Sequence, residues 1–167
     1  DAINADALNV SVPLGEDYPE IRDGVRAICK KYPGHTPASI LTDLVDRSPG
    51  EEGKWFAAAK DAKLFDVALD LARKSPVDHL TLLRAVNDFT EAEPGFALNC
   101  GLLALHWICA GRAYDPTMSE VRAIFDGTMK AGEIPGCKVA AMESVRKLLV
   151  SFPEERLVRG ALKNVLG

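Results

Sequence analysis

Seven prolines constrain this chain more than any other feature, because each precedes a stretch whose apolar residues recur with helical spacing. They are Pro37, Pro49, Pro76, Pro94, Pro116, Pro135 and Pro153. Four follow a residue that caps helices well: Thr36-Pro37, Ser48-Pro49, Ser75-Pro76 and Asp115-Pro116. Proline suits the first helical position, where its missing N–H would have no intrahelical partner and its φ is already helical. The last five are 18 to 22 residues apart, room for one helix and a short connector each time. No stretch alternates with period 2 over a useful length, so strands are not expected. The chain reads as all-α, with about nine helices stacked as antiparallel hairpins, either an α-solenoid or an irregular helical bundle.

The expected organisation is an N-terminal arm over residues 1–17, without helical period, followed by a single all-helical domain over 18–167. Within it, Tyr18 to Lys31 carries Ile21, Val25 and Ile28 on one face, and a short helix from Pro37 uses Ile40, Leu41 and Leu44. Ser48-Pro49-Gly50-Glu51 has the form of a capping box. Beyond it, Trp55, Phe56, Ala59 and Ala62 line one helix, and Leu64, Val67, Ala68 and Leu71 the next. Ser75 is expected to cap a helix facing inward with Leu80, Leu83, Val86 and Phe89. Pro94 opens the most apolar helix. It is followed by one with Val121, Ile124, Phe125 and Met129, one with Val139, Met142, Val145 and Leu149, and one with Leu157, Ala161 and Val165. Because Asn99 and His106 alone interrupt the apolar run Phe96–Cys109, that helix should be the central one.

Composition narrows the function classes. At 167 residues with 47% apolar and 26% charged residues, the chain can bury a core without a metal or disulfide. A net charge of −4 argues against nucleic acid as the main partner, since phosphate binding needs a concentrated positive field. The charge is uneven: residues 1–53 hold ten acids and five bases, residues 136–167 three acids and six bases. Solvated helix faces explain this most simply; a basic end meeting an acidic partner is the sharper reading. The four cysteines, Cys29, Cys100, Cys109 and Cys137, form no C-x-x-C pair and read as reduced and packed. No membrane partner is expected, because the longest weakly polar run is 14 residues and a span takes about 20. With no signal peptide or lipidation motif visible, the expected compartment is the cytoplasm. The chain begins at Asp1 rather than Met, which reads as a processed product or a piece of a longer protein.

Phe65-Asp66-Val67-Ala68-Leu69 and Gly95-Phe96-Ala97-Leu98 place an Ala-Leu pair 29 residues apart, each early in the second helix of a hairpin. The stretch Trp55 to Ala72 (WFAAAKDAKLFDVALDLA) resembles the helix–turn–helix of tetratricopeptide-type repeats. A large residue opens the first helix there, small residues line the crossing, and an aromatic-x-x-Ala-Leu run starts the second. Alanines let antiparallel helices approach closely while large residues fill the next layer. The resemblance covers about 18 residues, and it implies a helical-repeat architecture that offers a groove to a peptide or protein.

Candidate chemistry is sparse. His106 and Cys109, three residues apart, share a helical face and could share a metal or form a nucleophile pair. Cys100 points about 120° away and does not complete a ligand set, so a core histidine beside a buried thiol is the simpler reading. No metal and no cofactor are expected. Glu51-Glu52 and Glu154-Glu155 sit near helix starts, where the macrodipole favours negative charge. The polar residues best placed for partner contacts are Arg84 and Asp88, outward on the Val77–Phe89 helix, and Arg122 on a later one. The leading expectation is therefore a non-enzymatic helical-repeat interaction module binding a peptide or protein. The alternatives are a small all-α enzyme or ligand-binding domain with a pocket near His106, Trp107 and Cys109, or an accessory domain of a larger protein.

Overall fold

The computed structural model describes Lys30, Lys31 and residues 33–167. The expected arm over 1–17 and, apart from Lys30 and Lys31, the expected helix Tyr18–Lys31 lie outside the described residues. The fold is all-α: eight α-helices and a 3-10 turn, with no strand among the described residues. Backbone proximity divides the chain into two compact units, Asp1–Pro76 and Val77–Gly167.

In the first unit, α1 (Pro37–Asp46) begins as expected. Pro37 occupies the first turn, Thr36 Oγ1 accepts from the Ser39 amide at 3.2 Å, and Ser39 Oγ accepts from the Thr36 amide at 3.1 Å. Its buried face is Ile40, Leu41 and Leu44. The capping box expected at Ser48 does not form. The Ser48 hydroxyl donates back to the Leu44 carbonyl at 3.1 Å, Gly50 takes a left-handed φ of +85°, and the chain turns before a 3-10 segment, Glu52–Trp55. Then come α2 (Phe56–Asp61) and α3 (Phe65–Lys74), joined through Lys63. Lys63 has a φ of +60°. Its amide donates to the Lys60 carbonyl and the Leu64 amide to Ala59, both at 2.9 Å. That pair of bonds is the Schellman helix ending, which usually puts glycine at the left-handed position. Ala57, Ala58 and Ala59 on α2 and Ala68 and Ala72 on α3 are all buried.

Ser75, expected to start a helix, instead ends one. Its hydroxyl accepts from the Gly53 amide at 2.6 Å, fastening the 3-10 turn to the end of α3. Gly53 has to be glycine: a Cβ there would lie 2.8 Å from the Ser75 carbonyl oxygen and 2.9 Å from the Pro76 carbonyl carbon.

The second unit holds α4 (His79–Phe89), α5 (Pro94–Cys109), α6 (Met118–Glu133), α7 (Lys138–Ser151) and α8 (Leu157–Leu166). Both α5 and α6 touch each other and each of the remaining three helices, so the centre is shared between them. Helix α5 buries Phe96, Ala97, Cys100, Gly101, Ala104, Leu105, Ile108 and Cys109, while Leu102, Leu103, His106 and Trp107 are half-buried. Close approach of α5 to α6 depends on Gly101, whose missing side chain leaves room for the fully buried Thr128. Phe89 of α4 meets Phe96 of α5 edge to face, ring centres 5.4 Å apart.

Of the seven prolines, Pro37 and Pro94 stand in the first turn of an α-helix. The others sit in the preceding turns, and after Pro76, Pro116 and Pro153 a later side chain does the capping, whereas the elements after Pro49 and Pro135 have no side-chain cap. Asp78 caps α4, Thr117 caps α6 in a reciprocal box with Glu120, and the Glu155 carboxylate accepts from the Leu157 and Val158 amides of α8 at 2.8 Å each. Four inward faces also differ from expectation. On α3 Val67 is 39% exposed while Leu69 and Ala72 are buried, and on α4 Leu80, Leu83 and Phe89 are half-buried while Leu82 and Ala85 are buried. On α7 the buried stripe is Ala141, Val145 and Leu149, and Val139, two residues or about 200° from Ala141, is 84% exposed. On α8 the buried stripe is Val158, Ala161 and Leu162, which leaves Val165 in solvent.

Candidate functional site

The expected pocket residues are part of the packing. His106 lies edge-on to Trp107, with ring centres 4.8 Å apart, and edge-on to Phe152 at 5.8 Å. Cys109 is buried on the same helix. Burial, reinforced by the charge of Glu155 and opposed by Arg159, pushes its thiol up to about 12. A thiol that stays protonated at neutral pH is a poor nucleophile and a poor metal ligand. Among the described residues, no three or more His, Cys, Asp or Glu side chains are arranged to hold a metal ion.

Arg84 and Asp88 are exposed one turn apart on α4. Arg122 is exposed on α6, where its Nε donates to the Ala161 carbonyl of α8 at 3.1 Å. Part of its donor capacity is thus spent holding α8.

Two features went unread in the sequence. The first is a row on the outward side of α7. Val139, Glu143, Arg146 and Val150 fall within about 60° of one another on a regular helix. Val139 and Val150 are 84% and 78% exposed, with a Glu143–Arg146 ion pair of 3.8 Å between them. Tyr114, before α6, is 86% exposed. Reading Val139 as core hid this row.

The second is an ionisable cluster around a buried histidine, with Glu120 partly exposed. His79, the first residue of α4, is 1% exposed. Its Nε2 lies 3.3 Å from Glu120 Oε2, and its Nδ1 lies 3.4 Å from Asp78 Oδ1 without hydrogen-bond geometry. Asp78 Oδ2 accepts from the Leu80 and Thr81 amides at 3.2 and 3.3 Å, and Glu120 Oε2 accepts from the Thr117 amide at 2.8 Å. The Asp78 carboxylate raises the His79 pKa above the ordinary imidazole value; burial opposes it and Glu120 adds to it. The Thr117 amide holds the Glu120 carboxyl below its usual range, helped by the Thr117 hydroxyl and the His79 ring. For Asp78, burial acts strongly upward. The His79 ring and the Thr81 and Leu80 amides outweigh it, and the net shift is downward. The sequence signal was the adjacent Asp78-His79, but the partner that completes the cluster is 41 residues away.

No protein-family model, curated protein or solved structure matches this chain.

Proposed function

We propose that the chain is a non-enzymatic helical interaction module that binds a peptide or protein partner, with the outward side of α7 as its contact surface. The carrying observation is the pair Val139 and Val150, two large apolar side chains held in solvent on one line of a helix whose opposite side is buried. Exposed apolar groups flanking a charged pair supply contact area at the ends and orientation in the middle, the division of labour of a protein interface. Arg84, Asp88 and Arg122 belong to the same reading as polar contacts at other faces. The tetratricopeptide-like part is the α2–α3 hairpin, where the buried alanines fit close helix crossing. Against the rival pocket at His106, Trp107 and Cys109 stands the protonated, buried thiol.

The test is capture from the native source by the wild-type chain and by the V139E/V150E double variant, with circular dichroism matched between them. A partner that is retained by the wild type and lost by the variant supports the proposal. Equal capture by both would place the contact elsewhere and refute the α7 surface.

A further inference from the structure

We infer that Asp78, His79 and Glu120 form a proton-dependent latch tying the first turn of α4 to the first turn of α6, closed while the His79 ring is doubly protonated and loosened when it loses a proton. The geometry favours the charged ring over either neutral tautomer, because a carboxylate stands beside each nitrogen. A neutral imidazole has one N–H and one lone pair, whereas an ionised carboxylate only accepts. With Glu120 Oε2 at 3.3 Å from Nε2, the Nδ1–H tautomer turns a lone pair toward a carboxylate oxygen. The Nε2–H tautomer donates to Glu120 but leaves Nδ1 unprotonated, without a partner and 3.4 Å from Asp78 Oδ1. The imidazolium donates from Nε2 to Glu120 Oε2 and sets its positive charge 3.4 Å from Asp78 Oδ1, an ion-pair contact without hydrogen-bond geometry.

Neither carboxylate is free to swing away. Asp78 holds the Leu80 and Thr81 amides and Glu120 holds the Thr117 amide, so each is the cap of its own helix. Both also sit at positive helix ends, which favours their ionised form. The ring is buried, so water does not substitute for the lost partner. The charged groups facing it are Asp78, from its own cap, and Glu120, from α6. Helix α5, packed against both helices, carries no Asp, Glu, Lys or Arg between Pro94 and Cys109.

The sign follows from linkage. A group whose folded pKa is raised contributes its full stabilisation below the unfolded value, about 6.5 for histidine, and loses it as pH rises through the folded value. The lowered carboxylates act the other way: their contribution is present above their unfolded values and is lost as pH falls through the folded ones. The latch is therefore closed below the raised folded value of His79, down to where the carboxylates protonate, and opens as pH rises through that value.

Titration of the imidazole C–H resonances by NMR on the full chain tests this, with His79→Gln identifying the His79 signal among three histidines. The expected midpoint lies above about 6.5. It falls in Glu120→Gln, which keeps an acceptor for the Thr117 amide but loses the charge. Protection of the Thr81 and Glu120 amides against hydrogen exchange should drop through the same midpoint, tenfold for each unit by which folded exceeds unfolded pKa. A ring that titrates at or below about 6.5, or stays neutral throughout, overturns the latch. So does a midpoint unchanged in Glu120→Gln, a comparison that stands even where His79→Gln does not fold.

Discussion

Replacing Gly101 by alanine tests how closely α5 and α6 approach. In an exposed helix the change would stabilise by about 1 kcal/mol, because glycine is a poor helix former. Here the added Cβ would overlap the Thr128 hydroxyl oxygen and stand 2.9 Å from Thr128 Cβ and 3.2 Å from its Cγ2. Rotating Thr128 about χ1 moves the hydroxyl but not Cβ, and it breaks the 2.6 Å bond that the hydroxyl donates to the Ile124 carbonyl. Ordinary contact begins near 3.4 Å, so relief requires the helices to part by roughly 0.5 Å along that line. Overpacking of this kind costs about 1–3 kcal/mol and the lost hydrogen bond about 1 more, against about 1 gained in propensity, leaving a net loss of about 1–3 kcal/mol.

The assay is urea unfolding followed by tryptophan fluorescence. Of the two tryptophans, Trp55 lies in the first unit and Trp107 in the second, so a Trp55→Phe background isolates the signal of the second. Gly95→Ala is the control: its Cβ would meet nothing within 4 Å, and it should be neutral or slightly stabilising. Thr128→Ala combined with Gly101→Ala should recover about 1 kcal/mol relative to the sum of the single changes, the coupling expected of groups in direct contact. A Gly101→Ala variant as stable as the parent, or more so, would refute the close approach.

Leu105→Ala should lose about 2–5 kcal/mol in the same assay, the range for truncating a fully buried leucine, and a loss under about 1 would remove Leu105 from the core. Ser75→Ala leaves the Gly53 amide buried without its acceptor and should cost about 1–3 kcal/mol, read from the Trp55 signal; an unchanged melt would break that link. Lys63→Gly should stabilise by about 1 kcal/mol or more, since it relieves a left-handed lysine, and destabilisation would contradict the turn. Under native conditions Cys109 should be alkylated far more slowly than the partly exposed Cys137, as mass mapping would show; equal rates would contradict its burial and its raised thiol pKa.

Helix existence was legible because it rests on local periodicity. Ile40, Leu41 and Leu44, or Val121, Ile124, Phe125 and Met129, are buried as their spacing requires. Helix starts were less legible, because proline fits both a first turn and the connector before it. Hydroxyls were ambiguous for a similar reason. Ser75 looks like a cap in sequence but serves an amide 22 residues away. The helix endings at Gly111 and Gly136, with φ of +69° each, carry the expected glycine. The one at Lys63 has the same hydrogen bonds without that signal.

The register of α4 shows why the cluster around His79 escaped a reading by hydropathy. Two apolar stripes compete on this helix: Leu80 and Leu83 on one side, Leu82, Ala85 and Val86, continued by the half-buried Phe89, on the other. The structure buries the second and leaves the first half-covered. Leu82 and Val86 continue back, at i−3 and i−7, to His79, so burying them buries the histidine as well. A polar residue counted against that face at the level of sequence. In the folded unit it belongs there, because Asp78 and Glu120 meet its two nitrogens. The choice between stripes thus depends on a carboxylate 41 residues downstream, and no local window contains it. The same dependence makes the latch informative: a charge change at Glu120 should be felt in how α4 seats, through the ring of His79.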